Sequence, residues 1–566
     1  MKKENLKKTI KTLAQDGFLD WLVEIRKNEG EVFLVGGAVR DALIGDRVIK
    51  DYDFIVRGIE IERLGKILER LGRVELVGKS FGVYKFVPIG KKMETAFDIA
   101  LPRTEISLAT GGYKDFKVSY NYRLDIRGDL GRRDFTINAL AWDLKKEELI
   151  DEFGGLLDLK HRQIKTVGNA YERFGEDYSR MLRAIRFACQ LGYKIEDNTW
   201  AALQKLIQKI NEEKGGERIV PYEIIGEEIL KAFAGNPLSA FGLMDKSGAT
   251  AELLPELLKM KNCPQPKNWH SEGDVWEHTR LCLKILGSEA FKERFSQSII
   301  FDKKIKNQSR DRGTKIKMKE ELINAELVMA VLFHDVGKPF TIITPEKDKA
   351  DRIRFNGHDE FGADLAEQIF KKLKLSATPD FDFDPERASW LIRRHHLFDT
   401  KPATEMKNST LEKYFFDQHY SGEDLLKLGF VDQSSCIQEN GKIDLGNFNT
   451  VVKRIKELKK LGKGRNLPKP LINGNEVMKI LGIKPGKRVG KILEQLREKQ
   501  LAGKIKDKEE AKKEIKKTRN QENKSRKQEI KKTRNQENKK SRKQEIKKTV
   551  SRNQESVIRR LTERWR

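Results

Sequence analysis

Between residues 31 and 101 the apolar residues come in short runs punctuated by Gly and Pro. Glu31 to Val35 runs into the pair Gly36-Gly37, and Asp53 to Val56, Val83 to Val87 and Ala96 to Leu101 have the same form. Such runs predict short strands joined by turns. From about Asp177 the period changes. Apolar residues recur at helical spacing and breaks such as Asn236-Pro237 separate the runs, which predicts an α-helical body to about residue 500. The expected fold class is therefore α+β, a small α/β head followed by all-α segments. Lys303 to Glu321 is basic and poor in apolar residues and reads as a loop or insertion, and Gly462 to Pro470 reads as a linker. The longest apolar run, Leu327 to Phe333, is far short of the ~20 residues of a membrane span. The basic N-terminus has no apolar core of signal-peptide length. A cytoplasmic protein with no membrane partner is the expectation.

Composition sharpens this. A chain of 566 residues exceeds one hydrophobic core and suggests about three or four domains. The formal net charge of +27 points to a polyanionic partner. Much of it sits in a tail. Glu514 to Gln528 reads EIKKTRNQENKSRKQ, Glu529 to Gln544 repeats it with one extra Lys, and a third copy starts at Glu545. From Glu514 to Arg566 there are 20 Lys/Arg against 7 Asp/Glu, a net +13. With so few apolar residues the tail is expected to be disordered or a solvated helix, either an electrostatic grip on RNA or a duplicated tail with no dedicated role. Cys189, Cys263, Cys282 and Cys436 form no CxxC pair and read as reduced thiols.

Candidate chemistry begins at LVGGAVRDALIGDRVIKDYDF, Leu34 to Phe54. Gly36 and Gly37 after a strand let a phosphate approach the backbone at a helix N-terminus, and Arg40 can add a bidentate contact. Asp51 and Asp53 are two apart, so on a strand both carboxylates would share a face, as a Mg²⁺ site requires. Asp98 is a candidate third carboxylate. In RRDFTIN, Arg133 can reach a triphosphate, and Asp134 and Asn138, four apart on an expected helix, can hold a ribose or orient that Arg. In EDYSRMLRAIRF, Asp177 and Arg180 are neighbours on a helix, with Arg183 and Arg186 continuing the stripe. Cytosine and adenine both present an amino donor beside a ring-nitrogen acceptor, whereas uracil and guanine present the reverse. A carboxylate beside a guanidinium thus favours C and A without a template. A basic helix with an internal salt bridge is the plainer alternative.

Taken in order, GGAVRD, KDYDF, VGKSFGVYKF, FDIALPRTE, GRRDFTINALAWD, DEFGGLLDL and GEDYSRMLRAIRFA resemble the bacterial-type (class II) CCA-adding tRNA nucleotidyltransferases and their poly(A) polymerase relatives. GGERIVPYEIIGEEILK and ATAELLPEL extend the resemblance into the neck and body. It implies a head at 1–150, a helical neck and body at 151–262, and addition of CCA to a tRNA 3′ end from CTP and ATP with release of pyrophosphate. It also implies Asp51 and Asp53 as Mg²⁺ carboxylates, Gly37, Arg40 and Arg133 as triphosphate contacts, Asp177 and Arg180 as the base-reading pair, and Arg183 and Arg186 as further nucleotide contacts.

Six of the eight His fall between His270 and His396. Imidazoles and carboxylates clustered on helices suit Mg²⁺ or a divalent transition metal. GDVWEHT with His278, LFHDVGKP with His334-Asp335, FNGHDEFGA with His358, RRHH with His395-His396, and then Asp432, resemble the HD phosphohydrolases. The resemblance implies an HD domain at 263–461, phosphatase or 2′,3′-cyclic phosphodiesterase activity, and a two-metal site completed by His358 and His395 or His396. The ~55-residue spacing from His278 to His334 departs from that pattern. The run PLINGNEVMKILGIKPGKRVGKILEQLREKQLAGKI from Pro470 resembles the C-terminal helices after such domains, so 462–512 is expected as a helical tail and 513–566 as the basic tail. Partial CC or A addition, poly(A) synthesis, an HD hydrolase with an inactive head, and a non-catalytic RNA-binding protein are the alternatives.

Overall fold

The computed structural model describes residues 3–15, 19–45, 49, 51–77, 82–91, 96–108, 110–112, 115–300, 322–378, 380–398, 402–416, 422–462 and 467–563. The expected loop at Lys303–Glu321, part of the expected linker at 462–470 and part of the VGKSFGVYKF run lie outside them.

The N-terminal strands are β1 (Glu31–Val35), β2 (Asp53–Arg57), β3 (Gly72–Val77), β4 (Val83–Pro88), β5 (Phe97–Ala100), β6 (Arg103–Ser107), β7 (Phe116–Tyr120), β8 (Ala141–Asp143) and β9 (Glu148–Ile150). Seven of them form one sheet in the order β3-β4-β5-β2-β1-β8-β9, and β6 and β7 form a separate hairpin. β2 runs antiparallel to β1, with Val35 opposite Asp53, and parallel to β5, with Asp53 opposite Asp98. Alternation along each strand sorts the faces. Phe54, Phe86 and Phe97 pack with Trp21 on one face, Trp21 meeting Phe54 edge-on at 5.4 Å and Phe54 meeting Phe97 at 5.3 Å. Phe33, Val35 and Ile55 pack with Ile126, Leu130, Ala139, Ala141 and Val167 on the other. Asp53 and Asp98 belong to this second face, at its edge.

Two expectations are corrected here. Asp51 precedes β2 and is exposed, so it reaches Asp53 from a loop and not along a strand. Arg132–Asn138 is not an α-helix. Phe135 bridges Thr166, the Thr136 N–H donates to the Lys165 carbonyl at 2.9 Å, and the Val167 N–H donates to the Asp134 carbonyl at 3.0 Å. Those backbone groups pair with 165–167, so only the 3₁₀ turn Thr136–Asn138 can form.

Helices follow, beginning at Gly155–His161, before the expected start near Asp177. Ser179–Leu191 packs along Tyr222–Gly235. The last structural module of this part comprises Val275–Leu286, Ala325–Phe333, His358–Lys372, Pro385–Arg394 and Gly422–Ser435. Every residue of the apolar run Leu327–Phe333 is buried. Among the described residues no helix is long and apolar enough to cross a membrane.

The chain divides into two compact units, and everything above belongs chiefly to the larger. The smaller holds Gly474–Leu481, which starts with an Asn473/Glu476 capping box, Lys487–Leu501, and one long helix, Lys508–Glu563. Ala511 and Ile515 on that helix are buried with Val477, Ile492 and Leu496. The expected break at 512/513 therefore falls inside a helix whose first turns are packed. Further along, the repeat presents exposed side chains such as Ile546, 62% exposed.

Candidate active site and metal centre

The head site is built where β1 gives way to the helix Gly37–Ile44. Gly36 has φ +71 and ψ −134, a backbone region that side chains disfavour. A Cβ there would stand 2.7 Å from Arg133 Nη1 and 3.7 Å from Asp53 Oδ2. The glycine turn, Arg133 and Asp53 thus share one small volume, although 97 residues of sequence separate Gly36 from Arg133. Burial raises the Asp53 carboxyl above its ordinary value, Arg133 opposes that, and Asp98 and Asp51 add to the rise. Two further carboxylates acting on a buried Asp53 beside Arg133 make a centre that a divalent cation fits.

Gly36→Ala is expected to raise the nucleotide KM roughly tenfold while changing kcat less, because the methyl displaces Arg133 and strains the turn by about 1–3 kcal/mol. Nucleotide titrations of the purified variant, with its melting curve as a control on folding, check this.

The other arginines are held by carboxylates that their sequence spacing does not show. Arg40 donates from Nε and Nη2 to Asp41 at 2.9 and 3.0 Å, and from Nη1 to Asn138 Oδ1 at 2.7 Å. Asn138 in turn donates to Asp134 Oδ1 at 3.1 Å. Asp134 Oδ2 accepts from Arg183 Nε at 2.9 Å and Nη2 at 2.6 Å. Asp134 therefore orients Arg183, and Asn138 orients Arg40; neither side chain orients Arg133. Burial works against the Asp134 charge, but Arg183, Asn138 and the Phe135 N–H hold it well below the usual carboxylate range. Arg186 donates to Glu228 at 3.1 Å. Arg40, Arg183 and Arg186 all lie over the buried Phe187 ring, at 5.2, 5.5 and 4.3 Å from its centroid.

Asp177 and Arg180 are neighbours at 3.8 Å, as their spacing suggests. Each also has a closer partner. Ser179 donates to Asp177 from N at 2.9 Å and Oγ at 2.6 Å, and Arg180 donates to Glu176 at 2.5 Å. Sequence reasoning missed Asp41, Asp129, Glu228 and Phe187. Asp129 is fully buried and takes Arg132 at 2.9 Å and Arg133 at 3.4 Å. Its position three and four residues before two arginines was the available signal.

The second centre gathers all the expected HD residues around Asp335. His334 Nε2 lies 3.3 Å and His278 Nε2 3.9 Å from Asp335 Oδ2, and His358 and His395 lie 3.5 and 3.6 Å from Oδ1. Asp432 Oδ1 is 3.1 Å from His278 Nε2 and 3.8 Å from His334 Nε2. Each ring is aimed by its other nitrogen. His334, His358 and His395 use Nδ1 on the carbonyls of Val331, Phe355 and Ile392, and His278 uses Nδ1 on Glu272. With Nδ1 as donor, Nε2 is left as a ligand. His334 Nε2 and Asp335 Oδ1 are buried without a hydrogen-bond partner, which a bound cation would satisfy.

The two halves differ electrostatically. On the Oδ2 side burial opposes charge on His334, yet Asp335 pushes it up to about 10. On the Oδ1 side burial and the neighbouring His395 ring depress His358, and His396 falls to about 4. The first half attracts positive charge, which a cation would supply in place of the ring proton, and in the second His358 and His396 are neutral imidazoles suited to metal ligation. His396 Nε2 is 2.9 Å from His358 Nε2, so it adjoins the second half. Lys338, also missed, donates to Asp335 Oδ2 at 2.7 Å and to Gln265 at 2.8 Å.

Residues 32–165 match the poly A polymerase head domain family, and residues 306–424 match the HD domain family. The chain is 31% identical over 381 residues to the multifunctional CCA protein of Halorhodospira halophila, spanning 66% of this chain and 76% of that one. It belongs to the multifunctional CCA protein family. The homologue of the same name from Shewanella denitrificans is 30% identical over 392 residues, 68% of this chain and 78% of that one. Membership makes the chain a nucleotidyltransferase joined to an HD domain, two activities classes that both use divalent metals. The Bacillus stearothermophilus CCA-adding enzyme, solved with CTP, shares the fold, with a TM-score of 0.53 at 19% identity over 90% of this chain and 98% of that one. His278 and Asp432 lie outside the matched HD segment, and it is the fold that brings them to His334 and Asp335.

Proposed function

We propose that this member of the CCA family adds CCA to the 3′ end of tRNA from CTP and ATP, releasing pyrophosphate, in a cell's cytoplasm. The observation that carries the reading is the convergence of the Gly36 turn, Arg133 and Asp53, with Asp98 in register beside it. Asp51, Asp53 and Asp98 would hold Mg²⁺, which supplies neutralisation of the triphosphate and activation of the attacking 3′-hydroxyl. The Gly36-Gly37 backbone and Arg133 receive the triphosphate, Asp134 and Asn138 keep Arg183 and Arg40 in place, and Asp177 with Arg180 reads the amino-bearing edge of C or A. The head at 1–150 performs transfer, 151–262 reads the base, 263–461 hydrolyses, and 462–512 with the basic tail at 513–566 grips RNA.

The HD residues would hold Mg²⁺ or a transition metal, which supplies an activated water for hydrolysis of a phosphomonoester or 2′,3′-cyclic phosphate. Glu272 and the carbonyls behind the rings keep His278, His334, His358 and His395 in ligand geometry, and Lys338 holds Asp335 in place.

The test is to incubate the purified chain and Mg²⁺ with tRNA ending before CCA, after C, or after CC, supply CTP, ATP or both, and sequence the 3′ ends. CCA completed only with both nucleotides is expected. Arrest at CC, extension of the CC-ended tRNA alone, or long A tracts on unrelated RNA would overturn it.

A further inference from the structure

Cys282 has no role in the chemistry above, yet it lies inside the HD centre. It sits on the helix Val275–Leu286 four residues after His278, so both side chains project from one face. It is fully buried, and its Sγ is 3.5 Å from His278 Nε2. Ligand atoms of His278, Cys282, His334 and Asp432 all lie within 4.8 Å of one another. With Glu272 and the Val331 carbonyl taking the Nδ1 protons, two Nε2 atoms, a carboxylate oxygen and a sulfur face one small volume. His334 Nε2, almost wholly buried, makes no well-formed hydrogen bond. A cation in that volume would take the place of the ring and thiol protons and bind all four atoms.

We propose that Cys282 is a thiolate ligand of the HD centre, and that with His278, His334 and Asp432 it forms a half-site for a borderline-soft cation such as Zn²⁺, Co²⁺ or Fe²⁺. This rests on the reading of the HD residues as a metal centre. Tetrahedral zinc with bonds of about 2.0–2.1 Å to nitrogen and about 2.3 Å to sulfur sets N and S about 3.5 Å apart. His278 Nε2 and Cys282 Sγ stand at 3.5 Å. The same geometry sets N and a carboxylate O about 3.3 Å apart, and His278 Nε2 and Asp432 Oδ1 stand at 3.1 Å. A thiolate among the ligands shifts preference from Mg²⁺ and Mn²⁺ towards zinc and its neighbours. Asp335 faces both halves, Oδ2 at 3.3 Å from His334 Nε2 and Oδ1 at 3.5 and 3.6 Å from His358 and His395, whose half-site is all nitrogen and oxygen, so the two positions differ in softness.

The experiment strips metal from the full chain with a chelator and titrates it with Co²⁺, following absorption. Oxygen ligands at the head site give no sulfur band. A near-ultraviolet sulfur-to-cobalt charge-transfer band is expected, lost in Cys282→Ser and kept in Cys436→Ser. Cys282→Ser should still bind Co²⁺ in a manner abolished by Asp335→Asn, with its Zn²⁺ over Mn²⁺ preference reduced at least about tenfold. Asp335-dependent Co²⁺ binding without the band in the unaltered chain, or a band that follows Cys436, overturns the thiolate ligand and leaves the HD metal centre standing. Absence of any Asp335-dependent Co²⁺ binding overturns the metal centre itself, and the thiolate ligand with it.

Discussion

Asp53→Asn is expected to reduce nucleotide addition at least about 10³-fold, the equivalent of about 4 kcal/mol of transition-state stabilisation. The substitution keeps the shape of the side chain and removes half of the charge that it shares with Asp98 in register on β5. It acts on cation binding and little on folding. Burial already works against the Asp53 charge, so the neutral amide costs the head no stability. The expected pattern is a collapse of kcat, an unchanged melting curve and tRNA affinity within a few-fold of the unaltered chain. The proposed hydrolysis at the HD centre should be unaffected, since its candidate ligands come from other elements. Single-turnover extension of a CC-ended tRNA with ATP, beside a filter-binding curve, measures both. Full activity in the variant would remove Asp53 from the transfer centre.

Arg183→Ala carries the largest expected effect on stability. It leaves Asp134 buried, with the Phe135 N–H at 2.8 Å and the Asn138 amide at 3.1 Å but without the guanidinium that pairs with it directly. Breaking a buried pair from one side costs about 3–5 kcal/mol, whereas removing both partners costs less. Arg183→Ala should therefore lower the transition of the head-containing unit markedly, and Asp134→Ala combined with it should recover at least about 1 kcal/mol. Urea melts of the two variants decide this, read as separate transitions because a chain with two compact units need not unfold in one step. The pH dependence has a definite sign. Asp134 is depressed in the folded chain, so its contribution is complete above the unfolded carboxyl value of about 3.9 and fades as the pH falls below it. As the pH falls below about 4, the unaltered chain should lose stability that Arg183→Ala has already lost, and the two melting curves should approach one another.

These predictions separate what was legible in the chain from what was not. The strands β1, β2, β4 and β5 were visible as apolar runs ending in Gly or Pro. The edge strand β3, largely exposed and charged, and the three-residue β8 carry too little apolar signal to be read alone. The segment Arg132–Asn138 has helical spacing but pairs its backbone with 165–167. The candidate HD ligands were readable because their residue types are scarce: six His in a window, with Asp335 and Asp432, can be singled out by chemistry before any geometry is known. Cys282 was passed over because a lone thiol has no pattern.

The amino-acid sequence by itself determined the identity of the groups and their local arrangement. Period and punctuation set strands and helices, and residue type set which side chains can bind phosphate, metal or an amino-bearing base, because these depend on a few neighbouring residues. The tertiary structure alone decided which charge answers which. Asp134 meets Arg183 across 49 residues, Arg186 meets Glu228 across 42, and His278 meets Asp432 across 154. Such pairings follow from packing of elements distant in sequence. Several carboxylates lie within reach of each arginine along the chain, and only burial, which makes an unpaired charge costly, selects one of them.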